Sequence, residues 1–319
     1  MTAATYLEDW GLTPDDDNFH PPSDDPWWTE TVLFAWFVPE RRLIGYFYPI
    51  FRPNLGVQAG GVVVFDSEAY LPWEIPVFNW DWTRPLAPDV DLRNAELENG
   101  MSIRCLEPGR HFELGYESRD LSLDLHVEAV AKPLVTLAEP PFNKGHLDQL
   151  CRVSGSMVLT GERIDVDSFA IRARSWGPRQ DGRQPQVAYD YAGCDGENAF
   201  LAISVGRDRV FEVTSGFLIR EGKWSRLTSG KREAIYDELG RPIAVTITAS
   251  DEHGRQISGD GAVVSQQALQ SYPSMICWNS LVRWNVDGWS AWGEDQECMH
   301  PRRWRDDAAE RRKRLANSH

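Results

Sequence analysis

His146 and Asp148 are the residues whose types and spacing point most directly to proton transfer in this 319-residue chain. They lie two positions apart, so their side chains point the same way if the segment is an extended strand. A histidine titrates near neutrality and a neighbouring carboxylate holds its tautomer, which suits general acid/base catalysis. The same spacing also fits a polar turn in which the aspartate caps backbone amides. The sequence leaves both interpretations open.

A second motif, Ser-Trp-Gly-Pro-Arg at 175–179, follows a strand-like run. Together with His146-x-Asp148-Gln149, it resembles the second half of bacterial proteins akin to carotenoid 1,2-hydratase (hydroxyneurosporene synthase) and the AttH-like tandem lipocalins. The resemblance implies an all-β fold of two lipocalin-like antiparallel β-barrels or half-barrels in tandem. Relatives of this type include hydratases of carotenoid double bonds. In our hypothesis of cofactor-independent chemistry on a hydrophobic molecule, Trp176 shapes the pocket and Arg179 orients a polar end of the ligand.

The chain departs from this family at one position. Relatives usually read Arg-Asp-Arg-Ser-Trp-Gly, whereas position 173 is Ala173 here. If the family's acid donates a proton, this protein has either lost the reaction or moved the role to another carboxylate. Asp190, between Tyr189 and Tyr191, is the predicted replacement. An edge strand with a solvated acid would give the same Tyr-Asp-Tyr pattern.

Tryptophan is unusually abundant, with 14 residues. Indole rings can line an apolar cavity and stabilise a developing carbocation through their π-faces. Trp278 and Trp292, with Tyr189 from the earlier segment, are therefore predicted to contact the substrate. Packing in a hydrophobic core explains the same residues without any ligand.

Short alternating runs separated by turn residues favour an all-β chain. The clearest run, 121–129, alternates apolar and polar side chains, as a half-buried strand does. Paired prolines near residue 140 predict a boundary between an N-terminal barrel-like domain at 1–140 and a lipocalin-like domain at 141–302. Nine strands are predicted in the second domain, and 303–319 is predicted to be a helical tail. The aromatic segment 73–82 is predicted to be a covering loop.

Composition excludes several classes of protein. The formal net charge of −15 opposes binding to nucleic acid, although 302–314 carries seven basic and three acidic residues, typical of a solvated helix. No apolar run reaches the length of a membrane span, and the first residues lack a secretory signal. Five cysteines without a Cys-x-x-Cys pair favour reduced thiols. We therefore expect a cytoplasmic protein, and a homodimer is compatible with this interpretation.

Common catalytic motifs are absent from the sequence, including a P-loop, G-x-G-x-x-G, H-E-x-x-H and G-x-S-x-G. Cys298-x-His300 offers two metal ligands but no cluster to complete them, so we predict neither metal nor cofactor. The leading hypothesis is a lyase, hydratase, isomerase or cyclase that acts on a terpenoid, steroid or polyketide-like molecule. Its proton would come from Asp190 or from His146 with Asp148. A non-catalytic carrier of hydrophobic ligands and a carbohydrate-active β-sandwich are the alternatives.

Overall fold

The computed structural model describes residues 7, 9–138, 144–179 and 186–317, and it is nearly all β. The chain divides into two compact units. Unit 1 comprises Met1–Val64 and Pro76–Gln180, and unit 2 comprises Phe65–Ile75 and Asp181–His319. The all-β fold predicted from the sequence, with one half-barrel and one barrel, is confirmed.

Unit 1 is built on one 11-stranded antiparallel sheet that forms a half-barrel. Its strands are β1 (Trp28–Val38), β2 (Leu43–Arg52), β3 (Val57–Phe65), β4 (Val77–Pro85), β5 (Asn94–Glu96), β6 (Met101–Glu107), β7 (His111–Glu117), β8 (Leu121–Ala129), β9 (Leu134–Ala138), β10 (Lys144–Leu159) and β11 (Glu162–Pro178). Three short 3-10 helices span Pro14–Asp17, Pro39–Arg41 and Pro53–Leu55.

The strand order is β4-β3-β2-β1-β11-β10-β8-β7-β6-β5, and β9 also pairs with β10. Consecutive strands are mostly neighbours, as in a meander, but β1 pairs with β11 from much later in the chain. Thr31 lies opposite Ser175 in this pair. The alternation predicted for β8 is confirmed, because Leu121, Leu123, Leu125, Val127 and Ala129 are all buried.

Unit 2 contains a closed antiparallel barrel of eight strands. They are β12 (Gln186–Gly193), β13 (Asn198–Arg207), β14 (Val210–Arg220), β15 (Lys223–Tyr236), β16 (Pro242–Asp251), β17 (Gln256–Tyr272), β18 (Met275–Val286) and β19 (Trp289–Met299), followed by helix α1 (Pro301–Asn317). Pairing of β19 with β12 closes the barrel, so it has no free sheet edge.

One part of the barrel interior is an apolar core. This core includes Phe200, Ile247 and Trp284, and the Phe200 and Trp284 rings meet edge to face with centroids 5.2 Å apart. Trp278 lies further along β18 and packs on Trp304 of α1, with ring centroids 4.6 Å apart. These contacts place α1 against one end of the barrel wall.

The structure divides the chain differently from the predicted boundary at residue 140. β10 and β11 were predicted to open the second domain, but they pair with β8 and β1 in unit 1. The barrel therefore has eight strands, and the division into units falls near residue 180. Pro140 and Pro141, on which the boundary was based, lie outside the described residues.

Two other segments differ from their predictions. The aromatic segment 73–82 was predicted to be a covering loop, but most of it forms β4, which pairs with β3 at the edge of the sheet. The proline-flanked stretch before residue 140 contains β9. No helix in the described part of the chain has both the length and the apolar character needed to cross a bilayer.

Candidate functional site

A cluster of ionisable side chains lies inside the barrel of unit 2. Asp190 shares a face of β12 with Ala188 and Ala192, and all three are completely buried. Ala192 belongs to the apolar core of the barrel, so this face points inward. Asp190 lies directly opposite Asp295 of β19 in the strand register. Strand alternation therefore brings two carboxylates together across the seam that closes the barrel.

Arg232 of β15 binds the carboxylates of three different residues. Its Nε lies 3.2 Å from Asp190 Oδ2, its Nη2 lies 2.6 Å from Asp295 Oδ1, and its Nη1 lies 3.0 Å from Glu297 Oε2. The Tyr236 hydroxyl donates to Glu297 Oε2 at 2.8 Å. The ring of Phe211 packs against the guanidinium, 4.9 Å from centroid to Cζ. All four charged side chains are inaccessible to solvent, whereas Tyr236 is half-buried.

The charges of this cluster do not balance when every group is ionised. Three carboxylates face one guanidinium, and an unpaired buried charge is strongly unfavourable. Burial raises the pKa of Asp190 well above its ordinary value, opposed by Arg232 and reinforced by Asp295. Burial likewise raises the pKa of Glu297, although Arg232 opposes it. Asp190 and Glu297 therefore retain protons at a pH where exposed acids are ionised.

The unpaired oxygens indicate where such protons can sit. Within the described part of the chain, Asp295 Oδ2 and Glu297 Oε1 are buried without a hydrogen bond, and Asp190 Oδ2 contacts Arg232 only as an ion pair. Asp190 and Asp295 also interact side chain to side chain. A single proton between two carboxylates removes one charge and supplies the missing donor, as in other carboxyl dyads. The arrangement can thus hold a proton at a position closed to solvent.

The other predicted site residues of unit 2 occupy different positions. Trp278 lies opposite Glu297 in the β18–β19 register and is buried. Tyr189 is on the opposite face of β12 from Asp190, and Trp292 is on the opposite face of β19 from Asp295; both are half-buried. Of the predicted barrel residues, Asp190 and Trp278 therefore lie on the inner face, and Tyr189 and Trp292 lie on the outer one.

The remaining predicted residues belong to unit 1. His146 Nε2 lies 2.9 Å from Asp148 Oδ2, so the pair shares a face and a hydrogen bond, as the spacing predicts. Asp148 is buried and the His146 side chain is 30% exposed, which leaves the imidazole accessible. Arg179 donates to the Ser175 hydroxyl at 2.9 Å.

Trp176 lies on the opposite face of β11 from Ser175. It packs with Leu7, Trp28 and Leu147 in a small core, and its ring stacks on His20 with centroids 3.9 Å apart. Unit 1 thus places Trp176 and the His146–Asp148 pair on opposite faces of the sheet.

Two buried ion pairs anchor the N-terminal segment of unit 1. Arg172 pairs with Asp17, and Arg174 pairs with Glu30, with all four side chains almost fully buried. His20 bridges two acids, with Nε2 2.9 Å from Asp16 Oδ1 and Nδ1 3.3 Å from Glu30 Oε2. This network is balanced in charge and lies at the segment preceding β1, so it stabilises the fold of unit 1.

Replacing His20 by glutamine is expected to flatten the pH dependence of stability. Burial alone would lower the pKa of His20, but its bonds to Asp16 and Glu30 raise it overall. Its stabilising contribution is therefore complete below the unfolded pKa of 6.5 and is lost as pH rises through the folded value. Denaturant unfolding should show that H20Q costs about 1–2 kcal/mol more near pH 6 than near pH 8. The exposed His126 supplies the control H126Q, and equal pH profiles for the two variants would contradict the assignment.

The cysteines differ from the prediction of five reduced thiols. Cys277 and Cys298 form a disulfide between directly opposed positions of β18 and β19. Cys298 is therefore not available as the metal ligand suggested by Cys298-x-His300. Burial raises the pKa of both Cys105 and Cys151 to about 12, so neither thiol is a nucleophile near neutrality.

Sequence reasoning named Asp190 and Trp278 as candidates but did not assign a role to Arg232 or Glu297. Two signals were present. Arg232 alternates with Ala234 and Tyr236 on one face of its strand. An arginine on an inward face needs buried acids as partners, because an unpaired buried charge is strongly unfavourable. Asp295 and Glu297 continue the inward parity of Ala291 and Gly293, but β19 was not predicted as a strand.

Comparison with solved structures supports the fold resemblance stated above. The chain superposes on a putative AttH from Nitrosomonas europaea with a TM-score of 0.57 and 15% identity, covering 85% of this chain and 91% of that one. Kievitone hydratase from Nectria haematococca gives 0.56 and 10% identity, with coverage of 88% and 90%. CghA gives 0.55 and 11% identity, with coverage of 86% and 88%. At these identities the likeness establishes a shared fold.

Comparison with curated protein sequences gives no significant match. A family match is present, however, and it spans both units: residues 13–302 fit DUF7064, described as a domain of unknown function. This range includes β1 to β19, the buried ion pairs of unit 1 and the acid cluster of the barrel. The chain therefore belongs to the DUF7064 family and has the two-part β fold of the AttH-like proteins.

Proposed function

We propose that this protein is a cofactor-independent lyase, hydratase or isomerase that acts on a hydrophobic small molecule by acid/base catalysis. The observation that carries the proposal is the cluster of three buried carboxylates around a single buried arginine inside the barrel. Reactions that add or remove water at a carbon–carbon double bond need a positioned acid and a site that excludes bulk water. The cluster offers both conditions.

Each member of the cluster has a distinct role in this proposal. Protonated Asp190 is the acid, because its pKa is raised by burial and it lies beside Asp295. Arg232 bonds to Asp295 and Glu297 and so holds their geometry. Tyr236 is half-buried and bonded to Glu297, so it connects the cluster to the less enclosed end of the barrel. Since the carboxylates are inaccessible in this conformation, turnover requires an opening movement that admits the substrate.

The assignment of Asp190 as the acid is also supported by the alanine at position 173 of unit 1. Ala173 stands where related sequences carry an acid, and it is followed in the strand by the structurally engaged Arg174. Asp190 supplies a carboxylic acid in the barrel instead. His146 with Asp148 is the second candidate donor, because its imidazole is partly exposed and hydrogen-bonded to a buried carboxylate.

The proposed reaction type has support from a relative by fold, since kievitone hydratase bears a hydratase name. The terpenoid, steroid or polyketide-like class of substrate rests on the resemblance noted from the sequence. A binding or carrier protein is the second candidate, favoured by the observation that the acid cluster is enclosed. The carbohydrate interpretation has less support, because Trp28, Trp36, Trp176, Trp278 and Trp284 are buried, and only Trp27, Trp73 and Trp82 are exposed among the tryptophans of the described residues.

The test is mass spectrometry of an organic extract of the purified, unwashed protein, followed by incubation of the extracted compound with fresh protein in D2O. An acid/base enzyme is expected to retain a defined apolar molecule and to incorporate deuterium into substrate or product. Retention without deuterium incorporation or conversion would favour the carrier. An extract without any apolar compound would contradict the proposed substrate class.

A further inference from the structure

A cleft of about 190 Å³ opens in unit 2 between helix α1 and the turns that connect β13 with β14 and β15 with β16. Neither Arg232 nor its three carboxylate partners line it, and charged side chains dominate its lining. The lining residues are Arg209, Asp237, Glu238, Gly240, Arg303, Asp307, Glu310, Arg311 and Arg314.

Two guanidinium groups converge on the glycine at the base of this cleft. Gly240 has a φ of +76°, and a Cβ at this position would lie 2.8 Å from Arg209 Nη2 and 3.3 Å from Arg311 Nη1. The two arginines come from different parts of the chain, one from a hairpin turn and one from α1. Bringing two like charges to one point is unfavourable unless negative charge lies between or beside them.

The acids that line the cleft do not supply this charge in full. Asp307 is shared, at 3.4 Å from Arg209 Nη2 and 3.0 Å from Arg303 Nε. Asp237 is occupied by Arg241, whose Nε lies 2.7 Å from its Oδ2.

The other two acids, Glu238 and Glu310, are exposed at the rim. Among the described residues, Arg311 makes no ion pair, although it is only half-exposed. The base of the cleft thus carries a guanidinium without a carboxylate partner.

We infer that this cleft binds a small oxyanion, the carboxylate or phosphate group of an organic molecule, between Arg209 and Arg311. Guanidinium groups bind such oxyanions through paired, charge-assisted hydrogen bonds. The volume suits a compact group, and the rim acids favour a ligand whose charge is confined to one end. The inference does not depend on the proposed reaction, since it rests on residues outside the acid cluster.

Trp304 provides a natural reporter for binding. It lies on α1 and lines a small recess together with Arg311, Gly240 and Met299. An oxyanion that draws the Arg311 side chain toward Arg209 changes the surroundings of this indole. Tryptophan fluorescence and calorimetry therefore give two independent measures of the same event.

The experiment titrates the full chain at low ionic strength with inorganic phosphate in one arm and benzoate in the other. Saturable 1:1 binding is expected in at least one arm, weakened about tenfold or more by Arg311→Gln. Arg311→Lys is expected to bind with intermediate affinity, because it keeps the charge but loses the planar fork. Preference for phosphate or for benzoate would identify the oxyanion.

The matched control is Arg312→Gln, which removes one positive charge from an exposed neighbouring position of the same helix. It is expected to bind as the unmodified protein does. Equal losses in R311Q and R312Q would overturn the inference, as they would indicate general attraction to the basic helix. Absence of saturable binding in both arms would overturn it as well. Unchanged unfolding midpoints of both variants would confirm that the comparison is made between folded proteins.

Discussion

Arg232→Gln is expected to lower the free energy of unfolding at pH 7 by about 3–5 kcal/mol, because breaking a buried ion-pair network leaves uncompensated charge. Asp190, Asp295 and Glu297 all lose their guanidinium partner in this variant. Glutamine is polar but shorter than arginine and uncharged, so the variant removes the positive charge together with the contacts to the three carboxylates. Denaturant unfolding followed by circular dichroism measures the difference.

The pH dependence of this deficit provides a second check. Asp190 and Glu297 have folded pKa values raised above 3.8 and 4.5, so the folded state binds more protons than the unfolded chain above those values. Their contribution to stability therefore falls as pH rises toward the folded pKa. Without Arg232 the fall should be steeper, and R232Q should regain stability as the pH is lowered from about 8 to about 5.

The control for this variant is Lys231→Gln at the preceding position of β15. Lys231 is exposed and faces away from the cluster. A change within about 0.5 kcal/mol is expected for a surface substitution of this kind. If R232Q were as stable as K231Q, or if its deficit were independent of pH, the acid cluster would not have the electrostatic character described.

Asp190→Asn is expected to lower turnover by about 10²–10⁴-fold, the usual contribution of a general acid. Asparagine keeps the shape of the side chain but cannot donate a carboxylic proton. It can still donate a hydrogen bond toward Asp295, so the fold should be retained. The measurement is the rate of conversion, or of deuterium incorporation, for the compound obtained by extraction.

Two further variants show whether the proton donor lies in unit 1 or in unit 2. Asp260→Asn makes the same chemical change at an exposed position of β17 and is expected to leave turnover unchanged. Asp148→Asn tests the second candidate donor in unit 1. A large loss in D148N with full activity in D190N would transfer the acid role to the His146–Asp148 pair. Full activity in both variants would contradict both assignments.

Much of the fold follows from local pattern. Strand β8 was predicted at its observed bounds, because its apolar and polar side chains alternate. The partner of a strand is not a local property. β10 and β11 follow a proline-rich stretch and were assigned to the second domain, yet long-range pairing with β8 and β1 places them in unit 1. Composition also misled at β4, because an edge strand tolerates the aromatic and proline residues that suggested a loop.

The candidate site was likewise predictable only where it depends on local spacing. The His146–Asp148 bond depends on two positions of one strand, so spacing was sufficient. Arg232 lies 42 residues from Asp190 and 63 from Asp295 along the chain, so their meeting depends on the closed topology of the barrel. Chemical type identified Asp190 as a candidate acid, and only the register of β12 with β19 identified its partners.

The pairing of β12 with β19 also has a kinetic consequence. These strands are the first and last of the barrel, and contacts between distant segments form slowly because a long loop must close first. Asp190 comes from one side of this seam, and Asp295 and Glu297 come from the other. The carboxylates therefore meet only when the last strand docks. During synthesis the hairpins of the barrel can form while Asp190 and Glu297 are still solvated, so proton uptake by these two acids is coupled to barrel closure.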